Sequence, residues 1–479
     1  MSEIKEKPCP LRQQAITCPD APALSMGPHQ WSYAAWDRAV AHYEQALDES
    51  GLRRGDRMLL SARASVEYCT LLLALFRKGI IACPTNPALP SKALKTWASF
   101  LRASAIYRDA PDNTATAPPS FQPPILSGSD EKSLPAPLPI TVSTGAAVIQ
   151  TSGSTGQAKA ALLSLNNFLT AAALARQNMP LQAGDSWLLS LPLFHVSGLS
   201  ILFRCIQAGA TVVLPEQGDS LEDTLIKSQV THLSLVPTQL QRLLDTTEGC
   251  PCLSTLKAVL LGGAPASTSL LRRAHEAQIP LITSYGMTET AAQCCAVPPG
   301  ASLSVLQSSG RPLEKGSLRI DDDNRIFYRG EALFQGYLQE DGSLFRPLTE
   351  EGWFPTGDCG YFDDDGYLHI TGRSDARFIC GGENIQPEEI EVLLNEIPGV
   401  SASVVVGVAD PCYGTSPVAF IRMEEGYVLD ETLLRRHLEA KQPPFKIPRK
   451  YYPWPDEIPS GIKINRSWFT AKGEQLAEG

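Results

Sequence analysis

No apolar run in this chain is long enough to cross a bilayer. The longest, TLLLALF at residues 70–76, falls far short of the roughly 20 residues that a spanning helix needs. The opening MSEIKEKPCPL has no apolar centre of the kind a secretory signal carries, so a cytoplasmic location is expected. Metal-binding cysteine spacing is missing as well. The 12 cysteines are scattered and form no C-x-x-C pair, which reads as free thiols in a reducing compartment. Positive charge is in deficit: 41 Lys and Arg stand against 51 Asp and Glu, for a net charge of −10. That excludes a general nucleic-acid or anionic-membrane binder. It leaves room for an anionic small ligand in a locally positive site. There is no internal repeat, and nothing in the sequence sets the oligomeric state, so a homo-oligomer is left open.

What is present begins with length and texture. At 479 residues the chain can form two to four domains of roughly 100–200 residues each. Residues 108–140 are rich in Pro, Ser and Ala and carry no periodicity; they read as a long surface excursion or linker. From about 145 to 290 short apolar runs alternate with helical stretches. The strand candidates are AAVIQT (146–151), SWLLSLP (186–192), TVVLP (211–215), HLSLVP (232–237), LKAVLLGG (256–263) and PLITSYG (280–286). This alternation predicts a parallel sheet with helices on both faces. Ligands bind beyond the carboxyl ends of such strands, so the segments following them are expected to converge on one edge. After 310 short strands and hairpins take over, and from about 376 a small α/β unit follows, with helices over 387–396 and 430–441.

The stretch IQTSGSTGQAKAALLS (149–164) concentrates small hydroxyls and glycines before one isolated Lys159. Glycine backbones can turn their N–H groups inward, and hydroxyls add donors. Lys supplies a point charge. The stretch therefore reads as an anion cradle for phosphates, or as a flexible Gly/Ser loop between strands. It is not a Walker A loop, which requires G-x-x-x-x-G-K-[ST]: Gly153 and Gly156 stand too close together, and Ala160 follows Lys159.

Five motifs in order, TSGSTGQAK, YGMTE, TGD, GRSD and SGIKINR, resemble the adenylate-forming acyl-CoA ligases, and the match spans nearly the whole chain. Within that family, SLPLFHVSGLSILFR, LSLVPTQLQRLL and GGENIQPEEIE are similar to the ligases that join 2-succinylbenzoate to CoA in menaquinone biosynthesis. The resemblance implies an α/β fold. A large N-terminal domain (1–372) would hold parallel and mixed sheets, flanking helices and a β-rich subdomain. A hinge (373–375) would lead to a small mobile α+β C-terminal domain (376–479). The implied ligands are ATP, Mg²⁺, CoA and a carboxylic acid.

The resemblance also implies roles. Thr151, Ser152, Gly153, Ser154, Thr155, Gly156 and Lys159 would hold the β- and γ-phosphates, although Ala158 and Ala160 stand where the family usually has Pro and Gly. Gly262, Gly263, Ala264 and Pro265 would form the adenine pocket. Ser284, Tyr285, Gly286 and Met287 would line the nucleotide site, Ser284 also facing the acid. Thr288 would contact the α-phosphate, and Glu289 would hold Mg²⁺. Asp358 would bind ribose, Arg373 ribose or phosphate, and Asp375 would be the hinge. Lys463 would bridge the acid oxygen and the α-phosphate. His195, Ser197 and Gly198 would stand beside the acyl group. GRP (310–312) and GEALFQGYL (330–338) also resemble family elements and imply turn and packing roles alone. Taken alone, GGAP is a plain strand-to-helix turn, Glu289 a solvated helix-start residue, Asp358 a turn residue, Lys463 a surface charge and His195 a core histidine.

Arg204 lies on an otherwise apolar helical stretch, LSILFRCI. A charge there needs a partner. It reads either as the anchor for one carboxylate of a dianionic substrate or as a structural ion pair or rim residue. Two other functions stay open: an adenylation domain loading a carrier protein, and a non-catalytic nucleotide-binding relative.

Overall fold

The helix Val66–Lys78 shows what holds the large domain together. Apart from Glu67, its residues 66–76 are all buried. A helix that is apolar on every side must be covered on every side. The helix Tyr33–Glu49 packs against one flank. On another, Phe76 meets Phe203 of the helix Val196–Ala208 with ring centroids 5.7 Å apart, and Phe203 stacks at 4.9 Å on Phe168 of the helix Leu165–Asn178. The computed structural model describes residues 5–109, 119–122, 124, 138–152, 158–246, 251–380, 382–411, 413–456 and 466–478.

Two large sheets share this apolar interior. The first has nine strands, six of them parallel: Leu281–Gly286, Ala258–Leu261, His232–Leu235, Ser186–Leu188, Thr211–Leu214 and Pro22–Met26, in that spatial order. Five of the six expected strands are found here; SWLLSLP is cut to its first three residues, before Pro192. The sixth is a correction. The strand Gly145–Ser152 belongs to a second sheet of seven strands, where it lies parallel to Ile81–Pro84 and antiparallel to Ala158–Ser164. The chain from 145 to 290 therefore builds two sheets, and the next described element after Gly145–Ser152 is its antiparallel partner Ala158–Ser164, not a helix. Alternation of apolar runs does not say which sheet a strand joins.

A four-stranded antiparallel sheet follows, Leu318–Ile320, Arg325–Tyr328, Phe354–Phe362 and Leu368–Arg373. Beyond it, the hairpin Phe378–Cys380 with Glu383–Ile385, the helices Pro387–Leu394, Glu431–Glu439 and Arg466–Glu478, and a three-stranded sheet form a unit with its own apolar clusters. In its longest strand Val404, Val406 and Val408 face one cluster and Val405 the other, the period-two pattern of a sheet covered on both sides. The two expected helices are present, each shorter than expected by two or three residues. The reading of 108–140 as surface excursion needs amending too. Phe121 is buried, and its N–H donates to Ile106 O at 2.7 Å, so the described part is anchored to the second sheet.

Candidate active site

One segment, residues 284–293, reaches four other parts of the site through hydrogen bonds to Leu261, Asp358, Tyr337 and Arg204. It begins at the end of the strand Leu281–Gly286, passes through the short turn Thr288–Thr290 and returns in the strand Gln293–Ala296.

At its start, the Ser284 hydroxyl donates to Leu261 O at 3.0 Å. A Cβ on Gly262 would lie 2.8 Å from the Ser284 hydroxyl oxygen, so the bare glycine is what leaves room for that hydroxyl. Gly263, Ala264 and Pro265 are exposed just beyond. An exposed shelf of small residues fits a flat ring lying against backbone.

Next, the Tyr285 hydroxyl donates to Asp358 Oδ2 at 2.6 Å, and Arg373 donates to Asp358 Oδ1 at 3.0 Å. Asp358 and Arg373 are cross-strand partners, which places their side chains together. Gly357 has a φ of 80°, and a Cβ there would lie 2.7 Å from the Arg373 guanidinium, so this glycine clears the path by which Arg373 reaches its partner. Burial pushes the Asp358 carboxyl above its ordinary range, against the pull of Arg373 and Tyr285. Burial and the nearby carboxylate raise the Tyr285 phenol as well, so it stays protonated as a donor. Each Asp358 oxygen keeps a lone pair free for a second donor, as a ribose diol requires. Arg373 also pairs with the exposed Asp375 at 3.1 Å.

In the turn, Glu289 Oε1 accepts from the Tyr337 hydroxyl at 2.6 Å. The Lys159 ammonium lies 5.0 Å from the centroid of the same Tyr337 ring. Lys159 is exposed on the strand Ala158–Ser164, directly opposite Thr151 across the hairpin. The second sheet thus brings its cation to the first sheet's carboxylate. Thr288, Gly286 and Met287 lie on the same partly open rim.

At its end, Gln293 Oε1 accepts from Arg204 at 2.8 Å. Arg204 is 5 % exposed and lies over Trp187 at 5.2 Å from the ring centroid. Burial lowers its pKa to about 10, so it stays charged at neutral pH. No carboxylate among the described residues pairs with it, and both Arg204 Nε and Gln293 Nε2 are buried without a partner. Orphaned buried donors of this kind are costly. Among the described residues Arg204 therefore has no structural ion pair, and at 5 % exposure it is no rim residue.

His195 is exposed at the start of the helix Val196–Ala208, its ring 4.6 Å from Phe194, so it is not a core histidine. Ser197 is half-buried and Gly198 buried in the first turn of that helix. The backbone of Ser152 ends the hairpin's first strand. Gly153, Ser154, Thr155, Gly156 and Lys463 lie outside the described residues. Four contributors went unread in the sequence: Tyr337, Gln293, Trp187 and Gly357. Tyr337 lies in GEALFQGYL, where the sequence implies turn and packing roles alone; Gln293, in TAAQCC, carries no signal.

Residues 11–338 match the AMP-binding enzyme family, and residues 389–461 match the AMP-binding enzyme C-terminal domain. The 2-succinylbenzoate–CoA ligase of Bacillus licheniformis is 31% identical over 473 residues, covering 95% of this chain and 97% of its own. That of Listeria monocytogenes serotype 4b is 33% identical, covering 92% and 94%. The o-succinylbenzoate CoA synthetase of Bacillus subtilis, solved with the acyl-adenylate OSB-AMP, superposes with a TM-score of 0.85 at 28% identity, covering 97% of this chain and 98% of that one. The same enzyme with ATP and magnesium ion gives 0.85 at 28%, covering 97% and 99%. Two matched regions in order, and relatives alike over nearly their whole length, make this chain a member of the AMP-binding enzyme family.

Proposed function

We infer that the protein is an ATP-dependent acid–CoA ligase that activates 2-succinylbenzoate through an acyl-adenylate, as menaquinone biosynthesis requires. The observation that carries this is the segment 284–293. It links a small-residue shelf, a ribose-type carboxylate, a carboxylate beside a lysine, and a buried guanidinium without an anion.

The chemistry needs that set. A carboxylate is a poor acyl donor. In the first step its oxygen attacks the α-phosphorus of ATP, the bond to the β-phosphate breaks, and pyrophosphate leaves. In the second the CoA thiol loses its proton, its sulfur attacks the acyl carbon, and AMP leaves. The first step brings two anions together, so positioning and charge compensation dominate. Lys159 and the 151–156 stretch would hold the terminal phosphates, Thr288 the α-phosphate and Asp358 the ribose. Lys463 would bridge the reacting acid oxygen and the α-phosphate. Arg204 and Gln293 would receive the second carboxylate of the acid.

No cluster of three or more His, Cys, Asp or Glu among the described residues could hold a metal alone. A single half-buried Glu289 fits Mg²⁺, which takes one or two carboxylates plus substrate phosphates. When bound, Mg²⁺ supplies charge neutralisation on the phosphates. The two half-reactions need different groups at one place. Rotation of the C-terminal unit about Asp375 would exchange them.

The test is thioester formation from a panel of aryl and acyl acids with ATP and CoA. Succinylbenzoate is expected to be the best substrate, with pyrophosphate released once per thioester. Lys463→Ala is expected to slow adenylation by at least about 100-fold while thioester formation from supplied acyl-adenylate is spared. Turnover that needs a carrier protein and ignores CoA would overturn the reading.

A further inference from the structure

We propose that Tyr337 is a positioning residue for adenylation, holding Glu289 through its hydroxyl and Lys159 over its ring face in one arrangement. The inference rests on the ligase reading above and names a component that the GEALFQGYL motif was not expected to supply.

Strand pairing builds the arrangement. The strand Gly336–Leu338 runs antiparallel to Ala158–Ser164, with Tyr337 opposite Ala161. Lys159 lies two residues before Ala161 and so shares its face. A diagonal neighbour on one face is within reach of a long side chain, and Lys159 uses that reach to lie over the ring. A cation over an aromatic face is attracted without being neutralised, so Lys159 keeps its full charge for phosphate. A carboxylate in the same place would cancel that charge.

The hydroxyl does the second half. It donates to Glu289 Oε1, while no described residue donates to Oε2. One oxygen is thereby fixed and the other stays available to a cation. Partners that orient a metal-binding carboxylate in this way commonly govern metal affinity.

The segment is also pinned independently of the hydroxyl. Phe334 N–H donates to Glu289 O at 2.8 Å, and Gln335 N–H donates to Leu162 O at 2.8 Å. The buried Asn167 donates to Leu333 O at 2.8 Å and to Glu331 O at 2.9 Å. The Phe334 ring meets Tyr337 edge-on at 4.8 Å. Removing the hydroxyl alone should therefore leave the scaffold standing.

The test is Mn²⁺ binding followed by electron paramagnetic resonance, on the full chain with a non-hydrolysable ATP analogue and no acid substrate. Y337F is expected to weaken Mn²⁺ binding about tenfold, with an unchanged near-ultraviolet circular dichroism spectrum. In an E289Q background the same change is expected to add no further loss, because the hydroxyl acts through that carboxylate. Wild-type affinity in Y337F would overturn the inference. So would an equal loss in both backgrounds, the mark of a merely structural tyrosine. A wild-type chain that binds no Mn²⁺–nucleotide would sink the ligase reading, and this inference with it, and is told apart from the other outcomes by the wild-type titration alone.

Discussion

Two groups of buried guanidinium charge stand in the large domain, and they are solved in opposite ways. Near the N-terminus, Arg12 and Arg77 both bind Asp37, Arg12 at 2.6 Å, and Arg77 also reaches Glu44 at 3.2 Å. Two cations meet two carboxylates, and the three central side chains are at most 5% exposed. Beside the active site, Arg204 meets an amide and an indole face, with no carboxylate among the described residues. The first cluster is complete in the folded chain. The second has no carboxylate partner among the described residues. Burial alone does not mark a functional charge; burial without compensation does.

The largest effect is expected where compensation is complete. Asp37→Asn leaves two buried guanidinium groups and, of the two carboxylates, only Glu44, 3.2 Å from Arg77. It should cost about 3–5 kcal/mol in denaturant unfolding, the usual penalty for breaking a buried pair, without changing the preference among acids. A stable D37N protein would show that the cluster is not closed as the distances indicate.

Arg204→Met should invert that pattern. The uncompensated charge and its orphaned donor vanish, so stability is expected to hold or rise. Binding of 2-succinylbenzoate should fall about 100-fold, matching roughly 2.7 kcal/mol for lost charge-assisted hydrogen bonds. A mono-carboxylate analogue lacking the second anion should lose almost nothing. Equal losses for both ligands would mean that Arg204 shapes the pocket without reading charge.

Arg204 also marks the limit of what the sequence carried. A lone Arg in LSILFRCI shows that a charge needs a partner, and the partner sits 89 residues away in a strand with no distinguishing pattern. The parallel strands from 186 to 286 were legible because each is an apolar run ending in turn residues. Sheet membership of Gly145–Ser152 was not, because hydrogen-bonding partners leave no trace in a single strand's periodicity. Asp358 and Arg373 were legible only through the resemblance. That they face each other follows from a register that a sequence reading has no means to count across a shifted pairing. Tyr337 was in view and misjudged, since an aromatic in a strand is more often packing than chemistry.

Asp358 stands between the two extremes and gives the smallest, most discriminating test. Its carboxylate has one guanidinium partner, but Arg373 is shared with Asp375, so compensation is partial. Burial outweighs it and the carboxyl is held above its ordinary range. A group whose native pKa is raised binds its proton more tightly when folded, so its contribution is present below the unfolded value. It is lost as pH rises toward the native one. Unfolding free energy of the nucleotide-free protein should therefore decline as pH climbs from about 4, the ordinary carboxylate range, through the native pKa of Asp358. Asp358→Asn should remove that decline and weaken nucleotide binding about tenfold, as losing a charged acceptor does. If D358N keeps the wild-type slope, the arginine has compensated the carboxylate in full, and this site belongs with Asp37 and not with Arg204.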